Sequence, residues 1–213
     1  MPREFFARPS VPVAPDLLGC VLEHQTEAGL VAVELTEVEA YAGASDPASH
    51  AYRGKTARNA VMFGPPGHAY VYFTYGMYFC VNLVCLGNGS ASAVLLRAGR
   101  IIAGEELARA RRTRGTATIS SRDLARGPAR LCQALDIDRS LDGADVCVPH
   151  SPLRMRWPDP STTARSADRK ILSGPRVGIS AAAEVPWRFW VEGEPTVSVY
   201  RRAAPRRRKR VTP

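Results

Sequence analysis

The 213-residue chain predicts an α+β fold, built as one compact mixed domain. Strand-like runs rich in Val, Tyr and Phe occupy 19–41, 69–86 and 93–98. Helical patterns follow at 104–114 and 129–135 instead of alternating with every strand. The length supports one substantial core and is short for two ordinary domains.

The elements can be justified in order. Residues 1–18 read as a Pro-rich lead-in with a helical turn, Asp16 serving as a cap before Leu17-Leu18. Val21, Val31, Val33 and Leu35 alternate about the turn Glu27-Ala28-Gly29, which predicts a strand pair over 19–41. Residues 42–68 are rich in Gly, Ala, Ser and Pro and predict a long loop; such loops are usually functional or disordered. Residues 69–86 carry a dense aromatic β signature, Gly87-Asn88-Gly89-Ser90 a turn, and Ala93–Ala98 the returning strand. Residues 151–175 hold few large apolar side chains and predict loop. Val177–Ile179, Phe189–Val191 and Thr196–Tyr200 predict late strands. The expected domain is 1–200, with 201–213 a basic, disordered tail.

Composition narrows the function classes. The chain has no apolar run near the roughly 20 residues a membrane helix needs, and no secretory leader pattern at its start, so an intracellular protein without a membrane partner is expected. Its 5 cysteines are odd in number and none is spaced Cys-x-x-Cys, which argues against a disulfide framework and a zinc ribbon. With only 4 histidines and no His-x-x-x-His pair, neither metal nor cofactor is expected. The net charge of +9 is concentrated in two blocks. Residues 97–130 carry 9 arginines against 3 acids, and the stretch from Arg201 carries 7 basic groups and no acid. A polyanionic partner is implied.

Two patterns point to chemistry. Along 31–41 the odd positions read Val31, Val33, Leu35, Glu37, Glu39, Tyr41 and share one strand face. Either the strand surfaces at its end or a carboxylate sits in a cleft, because a buried carboxylate needs partners. Tyr70, Tyr72, Tyr75 and Tyr78 fall within nine residues, with Phe73, Met77 and Phe79 interleaved. An aromatic core strand would read this way, and so would a platform that stacks unpaired bases. Buried tyrosine hydroxyls all need partners, which a groove would relieve.

The segments Thr36-Glu-Val-Glu-Ala-Tyr41, Ser49-His50, Arg58-Asn59, Met62-Phe63 and Pro66 through Asn82 resemble the alkyladenine (3-methyladenine) DNA glycosylase family. Val94-Leu-Leu-Arg97, Gly127-Pro128 and Leu131-Cys-Gln-Ala-Leu135 continue the resemblance, which runs from about Leu17 to Tyr200. It implies a curved antiparallel sheet flanked by helices, and a monofunctional enzyme that flips alkylated or deaminated purines from double-stranded DNA. It implies no metal and no cofactor. By position, Glu39 becomes the general base and Arg97 a holder of the water and a nearby phosphate. Tyr41 and Tyr72 stack on the base, His50 contacts its edge or sugar, and Asn82 lines the pocket floor against guanine's amine. Tyr75 becomes the wedge in the duplex, flanked by Met77, Tyr78 and Leu95. Arg53, Lys55, Arg58 and Arg130 become phosphate contacts. A carboxylate fits the task, since it can accept a proton from water and stabilise an oxocarbenium-like sugar. A cationic alkylated purine stacks well on tyrosine faces.

Several readings stay open. Arg109, Arg111, Arg112 and Arg114 either line a DNA track or form a solvated helix face, and His68 reads as structural. The tail either adds salt-dependent DNA affinity or is a soluble appendage. A noncatalytic single-strand binding module would use the same tyrosines. A metal-dependent nuclease would use Glu37, Glu39 and Asp46. A monomer is expected, as suits scanning along DNA.

Overall fold

A tight turn at Glu27-Ala28 joins β1 (Val21–Thr26) to β2 (Gly29–Tyr41), which pair antiparallel from Val21 opposite Glu34 to Thr26 opposite Gly29. The alternation over 19–41 had predicted this pair. The architecture is that of a computed structural model describing residues 1–74, 76–87, 89–113, 118–158 and 169–203. Six more strands follow: β3 (Ala69–Thr74), β4 (Tyr78–Cys85), β5 (Ser92–Ala103), β6 (Leu153–Arg156), β7 (Ile171–Gly174) and β8 (Arg188–Val191). They form one antiparallel sheet in the order β3-β4-β5-β2-β1-β6, with β8 also on β2 and β7 beyond β8.

β2 controls the shape. β5 runs along one edge; β1 takes the first half of the other and β8 the second half, at Glu37–Glu39. The sheet twists and curls into a half-barrel. Every residue from Val31 to Ala40 is buried. The strand therefore does not surface at its acidic end. Leu35 pairs with Gly99, Glu37 with Ala98 and Val38 with Leu96, so Thr36 and Arg97 are each an extra residue in the ladder. Such bulges re-aim side chains next to functional sites.

Among the described residues, four helices flank the sheet: α1 (Arg3–Phe6), α2 (Ser10–Asp16), α3 (Glu105–Arg112) and α4 (Pro128–Leu135). Pro128 opens α4, where its missing N–H would have no partner anyway. Leu131, Cys132, Ala134 and Leu135 are spaced to bury one face of α4 against β2, β4 and β5. Each fully buried leucine contributes roughly 1.5–3 kcal/mol relative to exposure.

Four expectations need correction. Asp16 is the last residue of α2 and not its cap; Pro12 in the first turn is compatible with an earlier start at Ser10. Residues 151–175 are not all loop, because β6 and β7 use short edge pairings that need few large apolar residues. Val177–Ile179 and Thr196–Tyr200 are turns and irregular chain, while Phe189–Val191 lies in β8 as expected. The 42–68 loop contains two 3-10 segments, Gly43–Ser45 and Ala57–Phe63. Tyr75, Arg114 and most of the basic tail lie outside the described residues. Among the described residues, no helix is long and apolar enough to cross a membrane.

Gly43 begins the first 3-10 segment with φ +66°, and a Cβ there would collide with the Ala91 carbonyl. Both terms act against any side chain. Gly43→Ala is expected to destabilise the fold by more than about 1 kcal/mol, read as a lower midpoint in urea unfolding.

Candidate active site

The end of β2 delivers three side chains in register: Glu37, Glu39 and Tyr41. Both glutamates are fully buried. Arg97, aimed by the bulge in β5, lies between them, with Nε donating to Glu37 Oε1 at 2.7 Å and Nη1 3.2 Å from Glu39 Oε1. From β8, Arg188 Nε donates to the same Glu37 oxygen at 2.7 Å, and the Ser198 N–H donates to Glu37 Oε2 at 2.6 Å. Burial alone would raise the Glu37 carboxyl, but Arg97, Arg188 and Ser198 outweigh it and hold it below its ordinary value. Glu37 is thus fully engaged and serves to fix Arg97.

Glu39 is bonded differently. Its Oε1 accepts the Val177 N–H at 2.7 Å, and its Oε2 accepts the Tyr41 hydroxyl at 2.9 Å. Glu39 lines a cavity of about 220 Å³. The opposite wall is one face of the β3–β4 hairpin. Tyr70 faces Asn82 across the ladder and Tyr72 faces Cys80, and all four line the cavity. Tyr72 stacks on Tyr70 with ring centroids 5.4 Å apart and is met edge-on by His50 at 4.6 Å. Tyr41 is backed on one ring face by the Arg176 guanidinium, 4.6 Å from its centroid. Each wall ring therefore has one face supported by the protein.

The remaining predicted residues divide into two groups. Arg97, Tyr41, His50, Tyr72, Asn82 and Leu95 all line the cavity with Glu39. Met77 is exposed near the hairpin tip, Tyr78 is half-buried at the start of β4, and neither lines it. Arg53, Lys55 and Arg58 are exposed on and beside the Ala57–Phe63 segment, and Arg58 Nη2 donates to the Phe73 carbonyl at 3.3 Å. Arg130 is half-exposed in the first turn of α4, two residues from the cavity residue Pro128. The bonds of Arg97 go to Glu37, Glu39 and Ser198, and at 5% exposure it is a buried partner of carboxylates and not a surface cation. Arg109, Arg111 and Arg112 turn toward packing: they bond the carbonyls of Ile119, Ala134 and Leu124 respectively. His68 lies between Arg3 and Asp145 and does not line the cavity.

Burial and the nearby Arg58 lower the His50 imidazole, so it is neutral at pH 7 and does not repel a cationic ligand. Burial raises the hydroxyls of Tyr41 and Tyr72, which stay protonated; Glu39 beside Tyr41 adds to its shift. Burial pushes the Cys80 thiol up to about 11, making it an inert wall group. Glu37 and Glu39 face arginines, and Asp46 forms a two-pronged pair with Arg176 at 2.5 and 2.8 Å. The carboxylates that a nuclease would need for metal are thus engaged by cations. Among the described residues, no group of three His, Cys, Asp or Glu is arranged to hold a metal.

The sequence reading missed the turn Val177-Gly178-Ile179, which closes the cavity over Glu39, and it missed Arg176. Pro175 and Gly178 around an Arg-Val pair were the available signal. The partners of that pair lie more than 130 residues earlier, and local pattern cannot supply them.

A profile of the family described as Methylpurine-DNA glycosylase (MPG) matches residues 4–195. The chain belongs to the methylpurine-DNA glycosylase family. As a methylpurine-DNA glycosylase by family, it is a hydrolase of DNA base excision repair. Relatives provisionally named 3-methyladenine DNA glycosylase agree over nearly full length. That of Streptomyces avermitilis is 58% identical over 97% of this chain and 94% of its own. That of Leifsonia xyli is 49% identical over 94% and 92%. That of Methanocella arvoryzae is 46% identical over 93% and 95%.

Proposed function

We propose that this glycosylase takes alkylated or deaminated purines out of duplex DNA into the cavity and hydrolyses their N-glycosidic bond, with Glu39 as general base. One observation carries the reading: a fully buried carboxylate borders the cavity between ring walls, with an acceptor position on Oε2 beyond the one Tyr41 fills. A water bound there gives a proton to Glu39 as its oxygen bonds to the anomeric carbon. The carbon–nitrogen bond breaks and its electron pair leaves on the purine. Glu39 then returns the proton to solvent. Arg97 and the Val177 N–H hold the carboxylate in place, and its charge stabilises the oxocarbenium-like sugar.

The base rests against Tyr41 and Tyr72, with His50 and Asn82 at its edge. Tyr75, Met77, Tyr78 and Leu95 serve the wedge and its flank. Arg53, Lys55, Arg58 and Arg130 contact phosphates, which makes binding salt-dependent. Among the described residues no lysine lines the cavity, which supports base release without a Schiff base and without strand cleavage.

The test is an assay on duplexes bearing 7-methylguanine, hypoxanthine or ethenoadenine, with EDTA present throughout. Free purine and an abasic strand that breaks only after alkali are expected. Loss of activity in EDTA, or strand cuts as the first product, would favour the nuclease. Tight binding without any base release would favour the noncatalytic module.

A further inference from the structure

Among the described residues Arg176 is the largest fully buried side chain, and it does not line the cavity. Its two-pronged contact with Asp46 joins the turn after β7 to the loop after β2. Its Nη1 also donates to the Ala40 carbonyl at 2.9 Å. Its guanidinium lies over Tyr41, with Trp187 5.2 Å away. The next residue, Val177, donates its N–H to Glu39. Residues 176 and 177 therefore grip 39, 40 and 41 in succession: a side-chain carboxylate, a backbone carbonyl and a ring. Asp46 compensates the buried cation and is itself fixed by the Ala42 and Ala48 N–H groups at 3.3 and 3.1 Å. Ala48 lines the cavity.

From this geometry we infer that Asp46 and Arg176 form a positioning pair for catalysis. They hold Tyr41 as a rigid stacking wall and seat the Val177 N–H on Glu39, so the base and the carboxylate meet in a fixed relation. Neither side chain touches the substrate. A displacement of even an ångström in such a relation costs rate far more than affinity. This inference rests on the glycosylase reading.

Breaking one member alone leaves an uncompensated buried charge and unfolds protein; replacing both by apolar residues of similar size often does not. The test therefore uses Asp46→Leu with Arg176→Met in the full chain, beside the wild type and Arg176→Lys. Single-turnover excision from a hypoxanthine duplex, affinity for a duplex with an abasic-site analogue, and thermal midpoint are measured. The double variant is expected to stay folded with a lowered midpoint, since the Ala40 carbonyl and the Ala42 and Ala48 N–H groups lose these partners, and to bind within threefold, yet excise at least tenfold more slowly. Arg176→Lys is expected to recover part of that loss, because its ammonium can reach Asp46 and the Ala40 carbonyl. A rate within tenfold of the wild type overturns the inference, as does a parallel fall in affinity. If the double variant does not fold, the lysine variant decides: wild-type excision by it overturns the inference, and slower excision at unchanged affinity supports it. Failure of the wild type to release base would instead sink the glycosylase reading itself.

Discussion

Replacing Glu39 by glutamine is expected to slow base excision by about 10³-fold or more while leaving duplex affinity and thermal midpoint near wild type. The general-base term alone is worth on the order of 10²–10⁴. Loss of the negative charge beside the developing oxocarbenium removes a further electrostatic term. Glutamine fills the same volume; its amide oxygen can still accept the Val177 N–H, while its amide NH2 can donate to the Tyr41 hydroxyl oxygen in place of the bond that Oε2 accepts. Arg97 keeps its bond to Glu37. Single-turnover kinetics on a hypoxanthine duplex separates the two effects. A variant that excises within tenfold of the wild type would remove Glu39 from the chemistry.

Glu37 is expected to dominate stability as Glu39 dominates rate. It is fully buried, and Arg97 and Arg188 both depend on it. Glu37→Ala leaves two buried cations with fewer partners, a change that costs about 3–5 kcal/mol. For a chain of this size the thermal midpoint should drop by roughly 6–20 °C. The pH dependence follows from the lowered carboxyl. In the unfolded chain Glu37 titrates near its ordinary 4.5; in the folded state it titrates lower. Its contribution is therefore fully present above about 4.5 and is lost as pH falls through the lower folded value. The gap between the wild type and Glu37→Gln should narrow on acidification across that window. A midpoint unchanged by Glu37→Ala would show that the two arginines find other partners.

Much of this was legible before the structure. Glu-x-Glu-x-Tyr on one face of a strand, together with the Tyr-rich hairpin, located two cavity walls, because strand parity is a local property. Parity could not decide whether the acidic end surfaced; that depended on β8, which pairs from 150 residues away in the chain. Of the late strands, Phe189–Val191 was placed correctly, whereas Val177–Ile179 and Thr196–Tyr200 were misplaced for the same reason. Ile171–Gly174 pairs with Arg188–Val191, which in turn pairs with β2, and a four-residue strand carries too short an alternating pattern to fix its bounds. The arginines of α3 looked like a charged face because composition records charge and not the carbonyls waiting at Ile119, Leu124 and Ala134. Asp46 was read only as a potential metal ligand. Its true counterpart, Arg176, became visible only with the turn folded back over β2.

The hairpin has one more consequence. Tyr72 stands in the cavity wall and Met77 projects near the tip of the same two-stranded ribbon, five residues on. The ladder from Tyr70–Asn82 to Thr74–Tyr78 ties these regions together like the ends of a short lever. Under the proposed function, a double helix that presses on the outer end loads the same ribbon that carries the aromatic panel. Changes at the tip should alter which bases are accepted as well as how tightly DNA is held.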